Sequence, residues 1–206
     1  MEEKNRACVE RMIDGDEAAF DQLYHSYSGR LYRMAYFITG NRSDSEDILQ
    51  ETFIKCFLHR KELKQPDRFE SWLYQILVRT AWRINRKQKD LSYDSILENK
   101  SDTGMGKLIS NDHSAGPLEQ FLKMERSSEL YKAVQSLDIK YRTAILLHYY
   151  MEMQTKEIAR ITGTLEGTVK SRLFKARLLL KQKLEPPSPA APPMTAKNNN
   201  PSERRL

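Results

Sequence analysis

The stretch Thr-Lys-Glu-Ile-Ala-Arg-Ile-Thr-Gly-Thr-Leu-Glu-Gly-Thr-Val-Lys-Ser-Arg-Leu-Phe-Lys-Ala-Arg-Leu-Leu-Leu-Lys-Gln-Lys-Leu, residues 155–184, decides the fold. Thr155 is read as the N-cap of a short helix, Lys156 to Ile161. Thr162-Gly163-Thr164 forms a turn in which glycine permits a left-handed backbone. A second helix follows Thr164. Its apolar positions Val169, Leu173, Ala176 and Leu180 recur at steps of four, three and four, giving one buried stripe. Ala159 leaves room where two helices cross. A short helix, a glycine turn and a basic second helix make a helix-turn-helix pattern. The first turns of the second helix, Glu166 to Lys175, would enter a major groove. There Lys170, Arg172 and Lys175 can reach phosphates or guanine edges, and Ser171 can donate to either. The plain alternative is a solvated basic helix, but turn, small residue and basic face coincide here.

Working outward, charge points the same way. The 206-residue chain carries a formal net charge of +6. Residues 71–89 hold Arg79, Arg83, Arg86, Lys87 and Lys89 and no acid, and residues 164–184 hold six basic residues against Glu166. Each stretch is net +5, so the rest of the chain is net −4. Two separate positive stretches on an otherwise acidic chain fit two contacts with a polyanion. In residues 71–88, read as a helix, Leu73, Ile76, Leu77, Thr80 and Ile84 share one face and are expected in the core. Arg79, Arg83 and Arg86 fall on another face, and Trp72 projects toward that side. Guanidinium groups beside an aromatic suit phosphates and unstacked bases. The alternative buries Trp72 and leaves the arginines in water.

Upstream the pattern is helical almost throughout. Residues 16–39 carry Phe20, Leu23, Tyr24, Tyr27, Leu31, Met34, Ala35 and Ile38 at three- and four-residue steps, with a break expected near Ser28-Gly29. Gly40-Asn41 closes this helix. Ser43-Asp44-Ser45-Glu46 is read as a capping box opening the next. The next helix has Ile48, Leu49, Thr52, Phe53, Cys56 and Phe57 as its apolar positions. Asp44, Asp47 and Glu51 share one side of that helix, an acidic surface suited to solvent or a partner. Residues 64–67 make a loop. Residues 89–116 lose periodicity, carry five acids against three bases and are read as a linker. Pro117 opens a helix to about Ser136, and another spans Tyr141 to Tyr150. Five prolines in residues 186–193 make the tail unfit for a packed helix, and disorder is expected there.

Other classes are poorly supported. The N-terminus is acidic and polar without the apolar stretch of a secretory signal, and no apolar run approaches a membrane span. A cytoplasmic location is the expectation. Cys8 and Cys56 lack metal spacing, and Cys56 reads as a small buried hydrophobe. His25, His59, His113 and His148 are isolated. There is no nucleophile–base pair and no glycine-rich phosphate loop. No metal, no cofactor and no catalytic residue is expected.

In this order the pieces resemble the extracytoplasmic-function sigma factors of the sigma-70 family. The strings that carry the resemblance are Gly-Asp-Glu-Ala-Ala-Phe at 15–20, Asp-Ser-Glu-Asp-Ile-Leu-Gln-Glu-Thr-Phe at 44–53 and Phe-Glu-Ser-Trp-Leu-Tyr-Gln-Ile at 69–76. Leu-Asp-Ile-Lys-Tyr-Arg at 137–142 and Glu-Gly-Thr-Val-Lys-Ser-Arg-Leu-Phe-Lys-Ala-Arg at 166–177 complete them. The resemblance implies an all-α chain of two small helical domains. Residues 1–89 would be a region 2-like unit, 90–116 a flexible linker, 117–185 a region 4-like helix-turn-helix unit and 186–206 a disordered tail. It implies that Asp44, Asp47, Gln50 and Glu51 dock on the clamp helices of the polymerase β′ subunit. Arg68, Trp72, Arg79, Arg83 and Arg86 would lie where the −10 element is melted. Thr168, Lys170, Ser171, Arg172, Phe174, Lys175 and Arg177 would meet the −35 element.

The partners so implied are RNA polymerase core (β′ clamp helices and β subunit), promoter DNA and an anti-sigma factor, with the chain itself a monomer. Two departures stand out: Arg83 sits where many relatives carry an acid, and Arg79 where they often carry asparagine. Two rivals remain. A self-sufficient helix-turn-helix repressor would bind a palindrome as a dimer. A metal-dependent nucleic-acid enzyme would use Asp44, Asp47 and Glu51.

Overall fold

The computed structural model describes residues 3–98 and 129–185, and among them every regular element is helical. The first half contains α1 (Glu3–Asp14), α2 (Glu17–Thr39), α3 (Arg42–Leu58) and α4 (Phe69–Glu98), with short 3-10 turns at Arg60–Glu62 and Pro66–Arg68. The second half contains α5 (Glu129–Gln135), α6 (Ile139–Ile145) running into a π turn at Leu146–Tyr150, α7 (Thr155–Thr162) and α8 (Glu166–Leu184).

Local chemistry sets the boundaries. Asp16 caps α2 by accepting from the Ala19 amide, 3.1 Å away. The Arg11 guanidinium bonded to Asp16 is the main reason its carboxyl lies below the ordinary range, and the Ala19 amide adds to it. Gly40 ends α2 in the left-handed region at φ 71°. The expected break near Ser28-Gly29 is absent, and α2 is continuous. Helix α3 starts earlier than a capping box at Ser43 would place it: Asn41 is the N-cap, accepting from the Asp44 amide at 3.2 Å. Helix α4 runs on to Glu98, into the stretch read as linker, because nothing between Lys89 and Glu98 is proline or glycine. Thr155 does not cap α7. Gln154 holds that position without a side-chain bond, and Thr155 Oγ1 donates instead to Glu166 Oε1 at 2.8 Å. Helix α1 had no sequence counterpart. The start of the Pro117 helix, most of the linker and the 186–206 tail lie outside the described residues.

The two halves share one buried core. In the first half α2, α3 and α4 pack on one another while α1 lies on α2; in the second, α8 packs on α6 and α7. Across the seam α7 lies against α4, and α2 meets α5, α6 and the π turn. Helix α2 records this directly. Its early turns bury one stripe, Ala19, Leu23, Tyr27 and Leu31, but Met34 to Ile38 are buried without interruption. A helix buried all round has neighbours on every side. Here Tyr131 stacks 6.5 Å from Tyr36, and Tyr150 meets Phe37 edge-on at 5.0 Å.

The second half also finishes α2 chemically. A helix leaves its last four carbonyls without internal partners. Gln135 Nε2 donates to Phe37 O at 2.8 Å, and Arg142 Nη1 donates to Ile38 O. Helix α2 has no basic residue in its own last turn, so Arg142 also supplies the cation that its negative end favours.

Two glycines in α2 should respond oppositely to alanine. Gly29 is exposed mid-helix with nothing within 4 Å of a β-carbon, so Gly29→Ala should stabilise the fold by about 0.5–1 kcal/mol. At Gly40 a β-carbon would stand 2.9 Å from Gln135 Oε1, on a left-handed backbone. Gly40→Ala should therefore cost about 1–2 kcal/mol. Urea titrations of both variants check the signs.

Candidate polymerase and promoter interfaces

Three surfaces carry the candidate residues. The first is the outer side of α3. Asp47 and Gln50 are exposed there, and Asp44 is half-buried. Glu51 instead turns to the molecule's own α4: it accepts from Arg83 Nη2 and lies 2.7 Å from Lys55 Nζ. The surface is also less purely acidic than its sequence implied. Ile54 and Leu58 are 50% and 67% exposed beside it. They border an open groove of about 630 Å³ that includes Phe20, Tyr24, Leu49 and Gln50. Sequence reading missed both residues because they fall off the apolar stripe of α3. That misplacement was itself the available signal, since apolar residues clustered on a polar helix face form the kind of patch that partner-binding surfaces use.

The second surface runs along α4. Arg79, Arg83 and Arg86 are exposed, and Arg68 is exposed at the end of the 3-10 turn that feeds the helix. Trp72 is half-buried on their side, its ring centre 6.4 Å from that of Phe69. Of the expected core positions Leu73, Leu77 and Thr80 are buried, while Ile76 and Ile84 are half-buried against the core. Tyr74, Val78 and Ala81 are buried as well. They form a second buried face, turned toward the side on which α7 packs, which a one-sided reading of α4 could not show. Burial pushes the Tyr74 phenol up to about 12.

The third surface is α8, pinned to α7 by the Thr155–Glu166 bond. Lys170, Ser171, Phe174, Lys175 and Arg177 are exposed, and Thr168 is half-buried. Phe174, at 65% exposure, is an aromatic side chain held in solvent on α8. Lys170 Nζ sits 2.9 Å from Glu166. The Lys170 ammonium, with the Thr155 hydroxyl, holds the Glu166 carboxyl below its ordinary range. Arg172 differs from its neighbours: it is half-buried, with its guanidinium 5.8 Å from the ring centre of Trp82. Trp82 in turn donates to Thr143 Oγ1 at 3.0 Å. Gly163 makes the turn at φ 64°.

No three His, Cys, Asp or Glu side chains gather at metal-holding distance among the described residues. No helix among them is long and apolar enough to cross a membrane.

Comparison with known proteins matches both halves of the chain to a family. Residues 23–90 match the family description "Sigma-70 region 2" and residues 127–180 match "Sigma-70, region 4". The ECF RNA polymerase sigma factor SigW of Bacillus subtilis is 30% identical over 177 residues, covering 85% of this chain and 94% of that protein. The chain belongs to the extracytoplasmic-function sigma factors of the sigma-70 family. Two solved structures share its fold, each at a TM-score of 0.60. One is CnrH with the cytosolic domain of CnrY, at 21% identity over 86% of this chain and 95% of that one. The other is RpoE with the anti-sigma factor NepR from Bartonella quintana, at 22% identity over 80% of this chain and 96% of that one. In this sigma factor the acidic-apolar face of α3 and the basic face of α4 both fall within the region 2 match, and α7 and most of α8 within the region 4 match.

Proposed function

We propose that this sigma factor carries RNA polymerase core to promoters in the cytoplasm, reading a −35 element with α8 and opening a −10 element with α4, without catalysis of its own. The observation that carries the reading is the division of labour among three surfaces on one helical chain. Asp47, Gln50, Ile54 and Leu58 of α3 offer carboxylate and apolar contacts suited to the β′ clamp helices. Arg68, Trp72, Arg79 and Arg86 offer cations beside an aromatic, the chemistry that holds single strands and a flipped base. Lys170, Ser171, Phe174 and Lys175 stand outward on the recognition helix, where phosphates and base edges are met. The domain limits expected from the sequence go with this reading, except that α4 lengthens the first unit.

The family likeness supports a further partner. Both solved relatives named above were captured with a second protein, one of them an anti-sigma factor. An anti-sigma factor covering the groove at Ile54 and Leu58 would silence this chain until released.

Run-off transcription tests the reading: purified core polymerase, with and without the chain, on a pool of genomic promoter fragments from its source. New start sites that depend on the chain are expected. Specific duplex binding without capture by core would hand the case to a repressor. Within this scheme Lys175→Ala should weaken −35 duplex binding about equally on all sequences and lower the salt slope by about 1, as loss of one phosphate contact does. A fluorescence-anisotropy salt series reads both.

A further inference from the structure

We infer that the groove between α2 and α3 is a polyproline-binding site, and that the chain's own residues 186–206 fill it when polymerase is absent. The docking stands on the groove and the sequence. Its consequence for polymerase rests on the reading of α3 as the core-docking helix.

The groove has the chemistry for such a segment. Four rings line it, set at steep angles to one another: Phe20 stands 5.1 Å from Phe57 and 6.1 Å from Phe53, and Tyr24 stands 4.6 Å from Phe53. Ile54 and Leu58 flank them, exposed. Aromatic-lined grooves of this kind are where proline-rich segments dock. Gln50, also exposed on the groove, carries an amide that can donate to carbonyls, which a polyproline helix leaves without internal partners.

The sequence after α8 supplies the occupant. Residues 186–193 read Pro-Pro-Ser-Pro-Ala-Ala-Pro-Pro. At three residues per turn, Pro186, Pro189 and Pro192 fall on one edge of a polyproline helix, and Pro187, Ala190 and Pro193 on the next. The first edge is about 19 Å long at about 3.1 Å per residue. The groove follows α3 from Glu46 to Leu58, about 18 Å at about 1.5 Å per residue.

Place and charge agree. Lys183 and Glu185, at the end of α8, line one cavity with Ser136. The adjoining Gln135 stands against Gly40, just before α3 begins. From there residues 186–206 can reach about 70 Å, well beyond the roughly 26 Å length of α3. After the prolines come Lys197, Arg204 and Arg205 against Glu203 alone. The far end of the groove, by Phe20, is acidic: residues 14–21 hold Asp14, Asp16, Glu17 and Asp21 and no base, with Glu17 and Asp21 exposed.

Tethering makes a weak contact sufficient. A short tether gives an effective concentration of about 1 mM, so a segment that binds at about 100 µM as a free peptide fills the groove about nine-tenths of the time. Core docking on Ile54 then finds about one chain in ten open, and its apparent affinity falls about tenfold.

The test places a nitroxide on Ala196→Cys in the full chain, where native Cys8 and Cys56 are buried. The amide NMR signals of Ile54 and Leu58 should broaden, and adding Pro189→Glu/Pro192→Glu should abolish the broadening. Without the label, Pro189→Glu/Pro192→Glu should be captured by core about tenfold more tightly than the parent. No broadening at Ile54 and Leu58 would overturn the inference and leave the sigma-factor reading standing. Equal broadening when the nitroxide and the observed amides sit on different chains would give the groove to a second copy, and overturn it too. Broadening within one chain with unchanged capture would uphold the docking and remove α3 from the polymerase interface.

Discussion

Core polymerase is expected to capture the double variant Asp47→Lys/Ile54→Lys about a hundredfold more weakly than the parent, at an unchanged melting temperature. Both side chains are exposed on α3, and Ile54 is half in solvent, so neither supports the fold. Docking would bury what remains of Ile54, worth about 1 kcal/mol at ordinary apolar burial. Reversing Asp47 places a cation against a surface selected for an anion, which costs about 2 kcal/mol or more once water is excluded. Together about 3 kcal/mol corresponds to a little over a hundredfold. Biolayer interferometry with immobilised core, beside a thermal melt, measures both quantities. Glu51 is deliberately left alone. It bridges Arg83 and Lys55, so replacing it would loosen α3 from α4 and confuse docking with folding. Capture that survives the double variant would remove α3 from the polymerase interface.

The largest stability effect is expected at Phe69. Its ring is fully buried, meets Tyr27 edge-on at 5.4 Å and lies 6.4 Å from Trp72. Phe69→Ala should cost about 3–5 kcal/mol, the sum of lost transfer energy and the cavity left behind. A typical domain has only about 5–15 kcal/mol to lose. Phe69 also opens α4, so the same change frees the start of the helix that carries Arg79 and Arg86. Chemical denaturation should show the loss, and promoter opening should fail in step with it. A loss under 1 kcal/mol would mean that the ring is not the anchor its burial implies.

The sequence disclosed the helix-turn-helix well because its signals are local. Gly163, Ala159 and the Val169, Leu173, Ala176 spacing each constrain only neighbours along one or two helices. The boundaries of α2, α3 and α8 followed from the same kind of information, to within a few residues. What stayed hidden was non-local. Tyr74, Val78 and Ala81 have no stripe of their own to announce them. Their burial depends on which helix arrives from 80 residues away. Thr155 looked like a cap because threonine caps well in isolation, yet Glu166 from the next helix captured its hydroxyl. Arg83 and Glu51 each looked outward on its own helix, and only the packing of α3 on α4 shows that they face one another. Arg142 and Gln135 gave no hint that they would complete a helix of the other half.

The shared core has a thermodynamic corollary. Two helical units on a flexible tether would melt independently, each with its own midpoint and a small enthalpy. Here the end of α2 is capped from the second half, and α4 is covered by α7, so neither unit keeps all its native contacts once the other is lost. Heating should accordingly give a single calorimetric peak whose van't Hoff and calorimetric enthalpies agree for the whole molecule. Damage at Leu147 or Ile158 should then lower the midpoint reported by Trp72, in the opposite half.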